Sequence, residues 1–320
     1  NHGAVKAHFI DPWPEGKRIL KNEFNQTRCF FQATLKDNPA LANDPVYVAQ
    51  LEGIRDPVLK RAWRDGDWTV ALGSLFGDVY SPNKHMLPFS ITGNDIPDGW
   101  PRFRALDWGS STPFCCMWYC IANGEELNNP MLVKRMGWTF PPGALIFYRE
   151  YYGQAPGGGR DEGCKLGSNE VAANIRRLEI EGNERGKVRP GPADTQIFAV
   201  LDGTPIYSNF YKAGIKFVEA NKSPGSIAAG CELIRSRLIG HGDRPDIYFT
   251  RDCVHTARTL PVLARDPKKP DQPAPRQEDH CTDVVRYSCL AQEVKTKTAA
   301  QQQRISAADE FYKEMMRDDW

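Results

Sequence analysis

Hydrophobic positions are sparse and broken by proline up to about residue 95, then dense and periodic. In the first stretch, Asp44-Pro45-Val46-Tyr47-Val48-Ala49-Gln50-Leu51 predicts a helix with Asp44 as N-cap and Pro45 in the first position, continuing through Leu59 and Trp63. Asp65-Gly66-Asp67-Trp68 interrupts it. After Pro101 the pattern changes. Short apolar runs at 103–107, 114–121, 131–138 and 145–152 predict strands, with Asn123-Gly124 as a turn, and together suggest an antiparallel meander. Helices then alternate with strands. Ser168 caps a helix carrying Val171, Ile175 and Leu178 at helical spacing. Strands follow at 188–198 and 215–220. Ser223-Pro224 opens a helix with Ile227, Cys231, Ile234 and Leu238 as its buried stripe. A last strand at 247–250 precedes a helix over about 253–263, a Pro/Lys/Arg-rich loop at 266–276 and a helix from near Glu278. Strands first, then strand and helix in alternation, predict an α/β fold with a mixed sheet and helices on its faces.

Composition narrows the class. The 320 residues carry 41 basic and 40 acidic side chains, a net charge of +1, which argues against a simple cationic DNA-coating protein. The 41% hydrophobic and 25% charged fractions are those of an ordinary globular chain rather than a disordered one. No apolar run approaches the roughly 20 residues of a membrane span. The nine cysteines form no CxxC pair, so free thiols are expected rather than a disulfide framework or a structural zinc site.

Candidate chemistry rests on three carboxylates. Asp107 ends the first strand just before Gly109-Ser110-Ser111. Asp194 lies in Gly191-Pro192-Ala193-Asp194-Thr195, at or near the end of a later strand. Asp283 lies on the helix containing Glu278-Asp279-His280-Cys281-Thr282-Asp283-Val284-Val285-Arg286-Tyr287, where His280, Asp283 and Tyr287 share a face. Cys281, Val285 and Cys289 then point to the core. Carboxylates converging without basic partners would repel one another unless a hard divalent cation lay between them. Asp before Gly or Thr is also a common turn or cap residue, which is the plainer reading of each. Glu150 reads as a solvent-facing strand residue first and a ligand second. Gly157-Gly158-Gly159 reads as a flexible loop, since no phosphate-binding GxxxxGK[ST] occurs. His2, His8, His85, His241 and His255 are scattered. Arg258, Arg265, Lys268, Lys269 and Arg276 make a basic loop, either solvated or suited to a phosphate backbone.

Leu106-Asp107-Trp108-Gly109, Phe147-Tyr148-Arg149-Glu150-Tyr151-Tyr152, Ala193-Asp194 and His280-Cys281-Thr282-Asp283-Val284-Val285-Arg286-Tyr287 resemble the C-terminal nuclease of the tailed-phage large terminase subunit. Asp37-Asn38-Pro39, Asp44-Pro45-Val46-Tyr47 and Gly66-Asp67-Trp68 resemble the segment joining that family's ATPase to its nuclease. The resemblance implies an RNase H-like mixed sheet with helices on both faces, preceded by a mainly helical linker. It implies residues 1–95 as linker and remnant of the ATPase end, 96–294 as nuclease and 295–320 as a polar tail, the ATPase motor lying outside this chain. It further implies Asp107, Asp194 and Asp283 as ligands of two Mg²⁺ or Mn²⁺ ions, His280 as an auxiliary catalytic group, and Asp279 as a rival to Asp283. Double-stranded DNA would be the substrate, portal and small terminase subunit the partners, and the cytoplasm of the bacterial host the location. A junction resolvase or transposase of the same fold, or a noncatalytic docking module of the packaging motor, are the alternatives.

Overall fold

The apolar run Cys115–Ile121 becomes the middle strand of a mixed seven-stranded sheet in the computed structural model of the protein. Described are residues 5–10, 12–13, 15–21, 25–54, 60, 64–66, 73–159, 161–200 and 203–292. Leu59, Trp63, Asp67, Trp68 and the tail 295–320 lie outside them. The chain forms two compact units, one of residues 1–85 with 256–279, the other of residues 86–255 with the chain from His280.

In the second unit the strands are β1 (Met86–Leu87), β2 (Arg102–Asp107), β3 (Cys115–Ile121), β4 (Leu145–Tyr152), β5 (Val188–Ala193), β6 (Val218–Glu219) and β7 (Ile247–Thr250). Their spatial order is β1-β7-β4-β3-β2-β5-β6. β3 runs antiparallel to β2 and β4, while β5 and β6 follow parallel to β2. An antiparallel meander extended by parallel strands is the RNase H-like arrangement. Helices along the chain from residue 86 onward are α1 (Pro130–Met136), α2 (Ser168–Glu181), α3 (Tyr207–Lys212), α4 (Ser226–Ile239), α5 (Val254–Thr259) and α6 (280–292).

Both faces of the sheet are covered, which is why β3 reads as a continuous apolar run rather than an alternating one. Cys116, Trp118 and Cys120 pack in one core cluster with Val171, Ala172 and Ile175 of α2. Residues of the opposite parity meet α6: Cys115 Sγ lies 3.5 Å from Cys281 Sγ, and the Gln292 amide donates to the Tyr119 hydroxyl at 3.3 Å. Cys281, Val285 and Cys289 are buried, as their spacing predicts. All nine cysteines are free. Among the described residues no helix is long and apolar enough to cross a membrane.

Buried charge fastens α2 to the sheet. Glu179 accepts from Arg104 Nη1 at 2.5 Å and from Trp118 Nε1 at 3.0 Å, and both charged side chains are almost fully enclosed. Beyond the helix end, fully buried Glu184 pairs with Arg149 at 2.6 Å and accepts from the Tyr148 hydroxyl at 2.6 Å.

Several elements differ from the sequence expectation. Residues 131–138 are not a strand: Asn129 caps α1 by accepting from Met131 N, Pro130 takes the first position, and Gly137 ends it at φ 66°. The apolar residues of that stretch suit either structure, and the flanking Asn-Pro and Gly decide. α2 is capped not by Ser168 but at Gly167, whose N–H donates to Glu170 Oε2 at 2.8 Å. The 188–198 strand stops at Ala193, and Asp194 caps a short 3₁₀ turn at Thr195–Ile197. The 215–220 strand shrinks to β6. On α4, Ile227 is exposed, leaving Cys231, Ile234 and Leu238 as the buried stripe. The helix expected over 253–263 breaks at Thr259 into a 3₁₀ turn, Leu260–Val262.

In the first unit, Asp44 caps Pro45–Glu52 by accepting from Val46 N and Tyr47 N, and Gly53 follows that helix. Short helices at Pro39–Ala42 and Pro82–His85 accompany it, with a two-stranded ribbon, Leu20–Lys21 against Thr27–Arg28. The basic loop is partly structural. Arg258 pairs with Glu278, and the Arg265 guanidinium donates to the carbonyls of Ser74 and Leu75.

Removing one member of a buried ion pair strands the other charge. Glu179→Ala is expected to destabilise the protein by about 3–5 kcal/mol, read as a lowered midpoint in urea denaturation.

Candidate functional site

Two neighbouring parallel strands bring the first carboxylates together. Leu106 pairs with Ala193, and the Asp194 N–H donates to the Leu106 carbonyl at 2.9 Å, so Asp107 and Asp194 leave the sheet side by side. The pairing shifts register between Arg104 and Leu106. Gly191 permits it, because a Cβ there would lie 2.2 Å from the Arg104 carbonyl oxygen. Beyond Asp107 the turn is equally tight: a Cβ on Gly109 would lie 2.5 Å from the Thr112 carbonyl oxygen.

α6 supplies the rest. The Tyr287 hydroxyl reaches Asp107 Oδ1 at 3.3 Å and Asp283 Oδ2 at 3.2 Å, linking the strand carboxylate to the helix carboxylate. His280, one turn before Asp283, places Nδ1 3.1 Å from Asp107 Oδ2 and Nε2 3.0 Å from Asp161 Oδ1. The face shared by His280, Asp283 and Tyr287 is therefore the one turned to Asp107. Asp279 precedes the first turn of α6.

Each carboxylate has a basic partner, which the sequence did not announce. Lys222 Nζ lies 2.7 Å from Asp194 Oδ1, Arg286 Nη2 lies 2.8 Å from Asp283 Oδ2, and His280 faces Asp107. The neutralisation is incomplete at the centre. Burial, followed by the charges of Asp283 and Asp194, pushes the Asp107 carboxyl up from 3.8 to about 6, against the lowering effect of His280. Burial and the charges of Asp107 and Asp283 likewise raise the Tyr287 hydroxyl, which therefore keeps its proton. That single proton serves two carboxylates, one at a time.

Among the described residues no three His, Cys, Asp or Glu side chains converge tightly enough to form a metal cluster. The donor set still suits a hard divalent ion: three carboxylates from three segments at one end of the sheet, one of them carrying the electrostatic strain a cation relieves.

Glu150 is half-buried rather than solvent-facing. Its Oε1 accepts the His255 N–H at 2.7 Å, and its Oε2 accepts from Cys281 Sγ at 3.7 Å. His255 stacks on Tyr152, and His241 pairs with Asp246. Asp161 and Lys222 are the site residues that sequence reasoning missed. Asp161 follows the glycine-rich loop and Lys222 precedes a helix start, and neither position carries a pattern of its own.

No protein-family model matches the sequence, and no curated protein matches it. Solved structures are similar to it. The large terminase of a thermophilic bacteriophage is 17% identical with a TM-score of 0.47, the match covering 89% of this chain and 59% of that one. The chain thus spans less than two thirds of that terminase. The P22 large terminase nuclease domain is 12% identical with a TM-score of 0.44, covering 68% of this chain and 91% of that one. The large terminase nuclease from thermophilic phage G20c, a structure with bound cobalt, is 11% identical with a TM-score of 0.42, covering 68% and 97%. The chain is similar in structure to phage large terminases, and its chemistry has to rest on the site's own residues.

Proposed function

We propose that the unit built on the seven-stranded sheet is a divalent-metal-dependent endonuclease acting on double-stranded DNA, and that it cuts concatemeric viral DNA during genome packaging in the bacterial cytoplasm. The observation that carries this reading is the placing of Asp194 beside Asp107 and the linking of Asp283 to it through Tyr287, with burial and the charges of Asp283 and Asp194 pushing Asp107 up to about 6. Asp107, with Asp194 and Asp283 beside it, would hold Mg²⁺ or Mn²⁺. Such ions supply an activated water and stabilise the leaving oxygen.

The protein's part is positioning. The Leu106–Ala193 register sets Asp107 beside Asp194. Tyr287 ties Asp283 to Asp107 and keeps its proton. His280, held from behind by Asp161, fixes the second oxygen of Asp107 and is placed to hold a proton at Nδ1. Phosphate contacts position a duplex without reading its bases, so sequence preference should be low. Docking to portal and small terminase subunit belongs to the same reading.

Asp107→Ala or Asp194→Ala should lose cutting of supercoiled plasmid in Mn²⁺ or Mg²⁺ while keeping the wild-type circular dichroism spectrum. The loss should exceed the roughly 100-fold typical of removing a group behind a ligand. Metal-dependent cutting retained in both variants would overturn the assignment.

Asp107 also makes a stability prediction. Its folded-state value lies above the unfolded 3.8, so its stabilising contribution is complete below 3.8 and is lost as pH rises toward 6. Over that window of about two units the ionised carboxylate costs roughly 3 kcal/mol. In EDTA, Asp107→Asn should therefore be more stable than wild type at pH 8, with the gap closing at pH 4, as read from urea midpoints. A gap independent of pH would sink this account.

A further inference from the structure

The three basic side chains on the acidic cluster are not alike. Arg286 grips Asp283 with two atoms, Nη2 to Oδ2 at 2.8 Å and Nε to Oδ1 at 3.2 Å, and its side chain is only 5% exposed. Its methylenes lie against Gly230, where a Cβ would come within 2.3 Å of Arg286 Cγ. His280 is held at both ring nitrogens. Among the described residues Lys222 has one ion pair, Nζ to Asp194 Oδ1, with its side chain 38% exposed and its ammonium 5.5 Å from the Tyr287 ring centre. An ammonium on a flexible stem is a movable point charge, unlike a guanidinium locked by packing. The lysine end of the pair is open to solvent, while the Asp194 side chain is only 10% exposed.

Asp194 does not depend on Lys222 for its position. Its N–H is bonded to Leu106, and its Oδ1 caps the 3₁₀ turn by accepting from Gln196 N at 2.8 Å.

We propose that Lys222 is an exchangeable counter-ion, which neutralises Asp194 in the metal-free protein, yields that carboxylate to a divalent cation and then binds a backbone phosphate of the DNA. The inference rests on the reading of Asp194 as a metal ligand. Once a cation holds Asp194, the ammonium faces like charge, and its exposed stem lets it turn to the anion that substrate brings to the same edge of the sheet. Arg286, buried and doubly bonded, cannot make that exchange.

The test compares wild type, Lys222→Gln and Lys222→Arg, each checked for an unchanged thermal midpoint in EDTA. Calorimetric titration with Mn²⁺ alone should show Lys222→Gln binding on the order of tenfold tighter, because a like charge beside the divalent ion is gone. Binding to a short DNA duplex, with Ca²⁺ replacing Mn²⁺, should show the slope of log affinity against log salt reduced by about one in Lys222→Gln and kept in Lys222→Arg. Mn²⁺ affinity or a salt slope unchanged in Lys222→Gln would overturn the exchange. Wild type that binds no Mn²⁺ would instead overturn the nuclease reading, so the two failures are distinguishable.

Discussion

The site depends on one pairing, that of the strand Arg102–Asp107 with the parallel strand Val188–Ala193. Two carboxylates far apart in sequence become neighbours because Leu106 meets Ala193 and the next residue on each strand is an aspartate. The register shift before Leu106 sets this alignment, and Gly191 allows it by leaving room for the Arg104 carbonyl. A strand slipped by one residue would turn its side chains to the opposite face, carrying one aspartate away from the other.

Buried charge recurs through the unit, but its two uses are opposite. On the α2 side, Arg104 with Glu179 and Arg149 with Glu184 are enclosed pairs in which each charge has its partner. Unpairing either costs more than the pair itself contributes. At the sheet end the balance is left open. Asp107 faces His280, yet burial, followed by the charges of Asp283 and Asp194, still pushes its carboxyl up to about 6. On the proposed reading, a bound cation would relieve that strain.

The pattern of apolar residues made much of the fold legible. β3 and β4 appear close to where their hydrophobic runs place them, β7 falls at 247–250, and the buried side of α6 follows from Cys281, Val285 and Cys289. It failed where both structures suit the same residues. Residues 131–138 are apolar enough for a strand, and the Asn129 cap with Gly137 in the left-handed region makes them a helix. Ile227 fits a helical stripe by spacing, but which side of α4 is covered depends on what packs there.

The sequence by itself determined most element types, the free cysteines, and a shared face for His280, Asp283 and Tyr287, because helical and strand periodicities are local properties of the chain. It also marked Asp107 and Asp194 as lying at strand ends. Only the tertiary structure decided that these strands are neighbours, that Tyr287 bridges Asp107 and Asp283, and that Asp161, Lys222 and Arg286 supply the surrounding charges. Asp161 and Lys222 stand on loops with no periodicity to read, and their partners lie far along the chain. Contacts of that kind are set by the packing of sheet and helices, which no local pattern encodes.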